Sequence, residues 1–127
     1  MTNLSIDHAQ LGFPAGKHAQ VRHFYAELIG LPAQEPSDAR ALRFCAGDQR
    51  IDLVPVLPWR SHAGVPHLAL QAGNLSGLRA RLLDAGVEID ESRPLPGHLR
   101  FYVRDPGGNT LELLEPVGAL NGQGRAA

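Results

Sequence analysis

The stretch Leu99-Arg100-Phe101-Tyr102-Val103-Arg104-Asp105-Pro106-Gly107-Gly108-Asn109-Thr110-Leu111-Glu112-Leu113-Leu114 sets a cluster of turn residues between two largely apolar runs. Proline fixes its own φ, glycine accepts angles closed to other residues, and Asp and Asn bond to nearby backbone. Asp105–Asn109 therefore predicts a tight reversal, with residues 99–104 and 110–115 as the strands of a β-hairpin.

Working outward, the hairpin has a counterpart in the first half of the chain. Leu42-Arg43-Phe44-Cys45 and Ile51-Asp52-Leu53-Val54 flank the shorter turn Gly47-Asp48-Gln49-Arg50. Ile6-Asp7-His8-Ala9-Gln10-Leu11 is matched by Val65-Pro66-His67-Leu68-Ala69-Leu70, and an amphipathic stretch closed by glycine follows each. His8 and His67 are 59 positions apart, Gly30 and Gly86 56, Arg43 and Arg100 57, Asp52 and Glu112 60. Four landmarks in one order at a nearly constant displacement imply two copies of one supersecondary unit.

Each copy reads as strand, helix, then three short strands. Around His8 and His67 the residues alternate between two faces, which sets Leu68 and Leu70 opposite His67 and Ala69. Val21, Phe24, Tyr25 and Leu28 form the stripe that seats the first helix on a sheet; Gly30 ends it and Pro32 prevents its resumption. Asn74 is the expected N-cap of the second helix, with Leu75, Leu78, Leu82 and Ala85 as its stripe and Gly86 as its stop. Residues 56–64 connect the copies. The Gly- and Ala-rich residues 117–127 are expected to be a flexible tail. The domain thus spans 4–116, with modules at about 4–56 and 64–116.

Composition narrows the function classes. A chain of 127 residues, 43% hydrophobic and 20% charged, suits one globular domain. A net charge of -1 with scattered Lys and Arg builds no basic stripe for nucleic acid. No apolar run spans a membrane, and Met1–Ser5 lacks the pattern of a signal peptide, so the cytoplasm is the expected compartment. With Cys45 as the one cysteine, metal chemistry must use His, Asp and Glu.

Two segments carry a resemblance. His23-Phe24-Tyr25-Ala26-Glu27-Leu28-Ile29-Gly30-Leu31 is similar to the helix end of vicinal oxygen chelate proteins, the superfamily of glyoxalase I, bleomycin-resistance proteins and extradiol dioxygenases. Arg100–Leu113 resembles their most recognisable segment, the Asp-Pro-Gly turn leading into a glutamate strand. The resemblance covers about residues 4–116 and implies an α+β fold: two tandem βαβββ modules, curved sheets around a shared cleft, helices on the outside. It also implies metal ligands at His8, Asp52, His67 and Glu112. Two imidazoles and one or two carboxylates suit one divalent transition metal, Fe, Mn, Ni, Co or Zn. For each residue a plainer reading stands beside this one. Either histidine is hydrogen-bonded in a core or at a surface, Glu112 is bonded to backbone or an arginine, and Asp52 is one methylene shorter than the glutamate of typical glyoxalase I.

Further candidates surround these four. His98 is a candidate general acid or base, or else an exposed loop histidine. Arg100 and Tyr102 share a strand face and bind an anionic or aromatic substrate, or form a solvated rim; Arg43, taken as the repeat counterpart of Arg100, shares that choice. Trp59 either lids the cleft or plugs a gap between modules, and His18, His23 and His62 read as surface residues. The leading expectation is a metal-dependent lyase or dioxygenase acting on a small oxygen-rich molecule, with Glu112 moving a proton by analogy with glyoxalase I. Classical glyoxalase I activity lacks a match to the residues that grip glutathione. The alternative is a non-catalytic protein that sequesters a small ligand, as bleomycin-resistance proteins do. The resemblance implies a homodimer.

Overall fold

Alternation of apolar and polar residues along short strands dictates sheets with one face to cover, and the structure shows two of them. The computed structural model describes residues 6–34, 41–60 and 67–117. The expected tail beyond residue 117, linker residues 61–64 and His62 lie outside the described residues. The elements are β1 (His8–Pro14), α1 (His18–Arg22) continuing as a π-helical segment (His23–Ile29), β2 (Leu42–Ala46), β3 (Gln49–Val56), β4 (His67–Gln71), α2 (Leu75–Asp84), β5 (His98–Arg104) and β6 (Thr110–Pro116).

Each sheet is three-stranded and mixed, in the orders β1-β3-β2 and β4-β6-β5. The central strand runs parallel to the first strand of its copy and antiparallel to the other. The fold class is the α+β one expected, but only two of the three strands after each helix join a ladder. The remaining one is reduced to a single bridge, Ala33 to Phe44 in the first copy and Asp90 to Tyr102 in the second. Around the first bridge Pro32 O accepts from Cys45 N–H and Gln34 N–H donates to the Arg43 carbonyl; Pro32, with no N–H of its own, cannot extend the pairing further.

Register shows how closely the copies correspond. His8 faces Arg50 and Gln10 faces Asp52; His67 faces Thr110 and Ala69 faces Glu112. Asp52 and Glu112 are thus true counterparts. On the outer strand Asp52 faces Arg43, whereas Glu112 faces Tyr102. The counterpart of Arg43 is therefore Tyr102 and not Arg100, because pairing register, rather than the shared Leu-Arg-Phe spelling, decides which positions correspond.

One face of each sheet is apolar and covered by its helix. In the first copy Phe13, Leu42, Phe44, Ile51 and Leu53 are buried with Val21, Phe24, Tyr25 and Ile29, and Tyr25 stacks on Phe44 at 5.6 Å. Leu28 was expected in this stripe and is only half-buried. The π-helical turn, in which Tyr25 O accepts from Gly30 N–H, moves the inward side by one residue and turns Ile29 to the core. Gly30 closes the turn at φ 92°, a left-handed value that suits glycine. In the second copy Leu75, Leu78 and Leu82 cover Phe101, Val103, Leu111 and Leu113. The Asn74 side chain caps α2 by accepting from Gly77 N–H, as expected. Ala85, expected in the stripe, is exposed because the helix ends at Asp84. His18, read as a surface residue, packs edge-on against Phe13 at 4.9 Å.

By packing, the described residues divide into 6–34 and 41–60 with 106–109, and 67–105 with 110–117. The turn between β5 and β6 thus belongs with the first unit, where the Asn109 amide donates to the Gly12 carbonyl at 2.7 Å. That carbonyl sits on β1, an edge strand of its sheet. Removing the amide in Asn109→Ala leaves a part-buried acceptor unmet, and a loss of about 1–3 kcal/mol in urea unfolding is expected. In the second unit Arg79 grips Glu91 through two contacts of 2.8 and 2.9 Å, and this bond holds the Glu91 carboxyl below its usual range. A carboxyl depressed on folding stabilises above its unfolded pKa, and the effect is lost as pH falls through its folded value. Glu91→Gln should therefore lower the thermal midpoint slightly at neutral pH, with no difference remaining near pH ~2.

Candidate functional site

The faces turned away from the helices carry the titratable residues. In the second unit, alternation and pairing put His67, Ala69, Thr110, Glu112, Tyr102, Arg100 and His98 on one face. Glu112 lies on the central strand and is 8% exposed, so its charge needs partners. It has two: His67 Nε2 lies 2.9 Å from Oε1, and Arg100 Nη1 donates to Oε2 at 3.3 Å. Arg100 is itself anchored, donating from Nε and Nη2 to the Arg93 carbonyl at 3.0 and 2.6 Å. The Arg93 guanidinium lies 3.8 Å over the Tyr102 ring, and His67 meets the same ring edge-on at 5.8 Å. Asp90 stands 3.7 Å from Arg93; bonds from the Ser92 hydroxyl and amide, then the charge of Arg93, hold its carboxyl below the usual range.

The first unit repeats the arrangement with one change. Asp52 is 6% exposed on the central strand, facing Gln10 and Arg43. Its oxygens are forked by Arg50, from Nε at 2.6 Å and Nη2 at 3.1 Å. Arg50 holds the position that Thr110 holds in the second unit, opposite the first-strand histidine. An arginine there takes the carboxylate; a threonine leaves it to the histidine. His8 instead bonds through Nδ1 to Asp7 at 2.8 Å, and this bond lowers the Asp7 carboxyl. A carboxylate only accepts, so Nδ1 carries the proton and Nε2 is the nitrogen left for a ligand.

Trp59 lies on this face too. A Cβ built on Gly12 would stand 3.0 Å from the indole and 2.9 Å from Val56, so only glycine lets the ring lie against the sheet.

Donor chemistry separates the residues that suit a divalent ion from those that do not. His67 Nε2 and Glu112 Oε1, an imidazole nitrogen and a carboxylate oxygen 2.9 Å apart, are donors of the type that would hold a divalent transition metal. His8, with a carboxylate on its other nitrogen, has the arrangement common for ligating histidines. Asp52, held on both oxygens by Arg50, does not suit ligation in this arrangement. Among the described residues, no group of three or more His, Cys, Asp or Glu side chains is drawn together for a metal.

The structure brings His67, Glu112, Arg100 and Tyr102 together, but His98 lies two rows along the strand from Tyr102, with Nδ1 donating to Pro96 O at 3.2 Å. Sequence reasoning missed Arg50 and Arg93. The first was legible, because residues two apart on a strand share a face. Arg93 lies in an aperiodic segment and left no signal.

Comparison with known proteins agrees with the fold. A family model described as the glyoxalase/bleomycin resistance protein/dioxygenase superfamily matches residues 5–113. A glyoxalase family protein from Bacillus anthracis is 28% identical, with a TM-score of 0.81 over 92% of this chain and 100% of that one. Lactoylglutathione lyase from Agrobacterium tumefaciens is 21% identical, with a TM-score of 0.71 over 95% and 98%. TnmS3, an antibiotic binding protein from Streptomyces sp. CB03234, is 23% identical, with a TM-score of 0.69 over 92% and 100%. At those identities the last two show the fold alone. No curated protein matches the chain in sequence. No helix among the described residues is long and apolar enough to cross a membrane. The alternating faces, the duplicated register and the match over 5–113 lead to one assignment: the chain belongs to the glyoxalase/bleomycin resistance protein/dioxygenase superfamily.

Proposed function

We propose that this chain is a divalent-metal-dependent enzyme acting on a small oxygen-rich molecule, a lyase or dioxygenase in reaction class. The observation that carries this reading is the His67–Glu112 pair. Two donors of the right type, on adjacent strands, stand 2.9 Å apart on a polar face. In the metal-free arrangement Nε2 donates its proton across that gap, so an ion would replace a proton. The resemblance adds His8 as a further donor. A bound divalent ion would supply Lewis-acid polarisation of substrate oxygens.

The chain's own residues define the rest. Arg100 fixes Oε2 of Glu112 and so aims Oε1 at His67. Arg100 is in turn set by the Arg93 carbonyl. Glu112, buried and with two partners, is the proposed carrier of a substrate proton. Tyr102, Arg93 and Trp59 are the proposed contacts to substrate, and His98 is reserved for an outer acid–base role. The metal is one of Fe, Mn, Ni, Co or Zn, and a homodimer is the proposed assembly. A second reading, non-catalytic binding of a small molecule, is favoured by one observation: arginines already neutralise Asp52 and Glu112 without any ion.

Metal analysis separates the two. Protein purified without chelator should carry about one equivalent of a transition metal per chain, largely lost in His67→Ala and in Glu112→Gln. Asp52→Asn should leave the content unchanged, because Arg50 holds both of its oxygens. Wild-type protein that holds no metal and takes up none of the five would sink the enzymatic reading in favour of sequestration.

A further inference from the structure

We infer that the polar face of the first unit's sheet holds a subsite for a planar aromatic carboxylate, with Trp59 as its wall and Arg43 as its anchor. The inference deepens the small-molecule reading above and rests on it for the existence of a ligand, but not for a metal.

Register divides this face into two halves. The rows His8–Arg50–Cys45 and Gln10–Asp52–Arg43 are polar. The rows Gly12–Val54 and Pro14–Val56 are apolar, and Trp59 lies against Gly12 and Val56. Gly12 and Arg43 lie one row and two strands apart, about 12 Å between backbones from spacings of ~7 Å per row and ~4.8 Å per strand, so a ring against the indole and a carboxylate met by the long Arg43 side chain fit a molecule of benzoate size. An apolar floor meeting a charged edge suits a ligand with a flat ring at one end and an ionised group at the other.

Charge supplies the second argument. Two guanidiniums, Arg43 and Arg50, flank one carboxylate, Asp52, and Arg50 takes both of its oxygens. Among the described residues the Arg43 side chain has no ion pair, hydrogen bond or ring contact, although it is half-buried and directly faces Asp52. With both oxygens of Asp52 taken by Arg50, the Arg43 guanidinium keeps its donors for another acceptor, and a ligand carboxylate matches its planar fork. Glycine at position 12 is consistent with this use of the face, because any side chain there would displace the indole.

Trp59 is the sole tryptophan of the chain, so its fluorescence reports directly on the subsite. The test uses chelator-stripped protein titrated with benzoate, benzyl alcohol, acetate and phenyl phosphate, with calorimetry alongside. Benzoate should quench Trp59 saturably and bind at least about tenfold tighter than benzyl alcohol or acetate. Arg43→Gln should weaken benzoate about tenfold, Arg43→Lys should restore part of that loss, and Trp59→Leu should abolish the calorimetric signal. No saturation below about 10 mM, or equal affinity in Arg43→Gln, overturns the subsite. Tighter binding of phenyl phosphate than of benzoate overturns the carboxylate assignment. Because the protein is stripped of metal, benzoate binding can succeed where the metal analysis fails, and the reverse.

Discussion

A carboxylate buried on the central strand of a three-stranded sheet is the constraint from which the rest of this molecule follows. Asp52 and Glu112 occupy equivalent register positions, two residue pairs beyond the first-strand histidine and so one row along on the same face. A charge removed from water there demands a compensating charge and hydrogen bonds. Each carboxylate therefore organises its neighbourhood. Arg50 is drawn onto Asp52 along the same strand, and Arg100, with His67, onto Glu112 from the flanking strands. Such pairs add little net stability, since desolvation offsets their attraction. Their consequence is orientation: both oxygens of Asp52 turn to Arg50, and those of Glu112 are divided between His67 and Arg100.

Duplication gave both units the same frame, and one substitution made them chemically different. Opposite the first-strand histidine stands Arg50 in one unit and Thr110 in the other. An arginine there closes the carboxylate into a fork and turns its histidine to Asp7. A threonine, without charge and too short to compete, leaves glutamate and histidine to each other. The side chains also differ in length, and the longer Glu112 meets a histidine from one strand and an arginine from the other. The two polar faces thereby differ, with a histidine–glutamate pair on one and an arginine-rich, half-apolar surface on the other.

Much of this was legible in the sequence, and what was not has definite causes. The hairpin at 98–116, the cap at Asn74 and the helix stop at Gly30 were readable because turns and caps depend on local backbone chemistry. The repeat was readable, but its alignment slipped by two residues on one strand. Leu-Arg-Phe occurs in both copies, and spelling cannot report which residue faces the carboxylate. The π-helical turn escaped notice because an inward shift of one residue, from Leu28 to Ile29, is invisible when both are apolar. Pairing Glu112 with His67 required only that the first and last strands of one module be adjacent. Assigning Asp52 to Arg50 required knowing that a neighbour two residues away wins over a partner on another strand.

That competition bears on how one scaffold serves both catalysis and sequestration. A cation near a buried carboxylate lowers the energy of its charged form whether it is an arginine or a metal ion. A protein of this fold can therefore answer its buried carboxylates with arginines instead of an ion, and a single arginine decides whether the carboxylate is still open to one. In this chain Arg50 meets that demand internally for Asp52, while Arg100 occupies only one oxygen of Glu112 and leaves the other directed at an imidazole. The fold supplies the position; the residue opposite the histidine decides what that position binds.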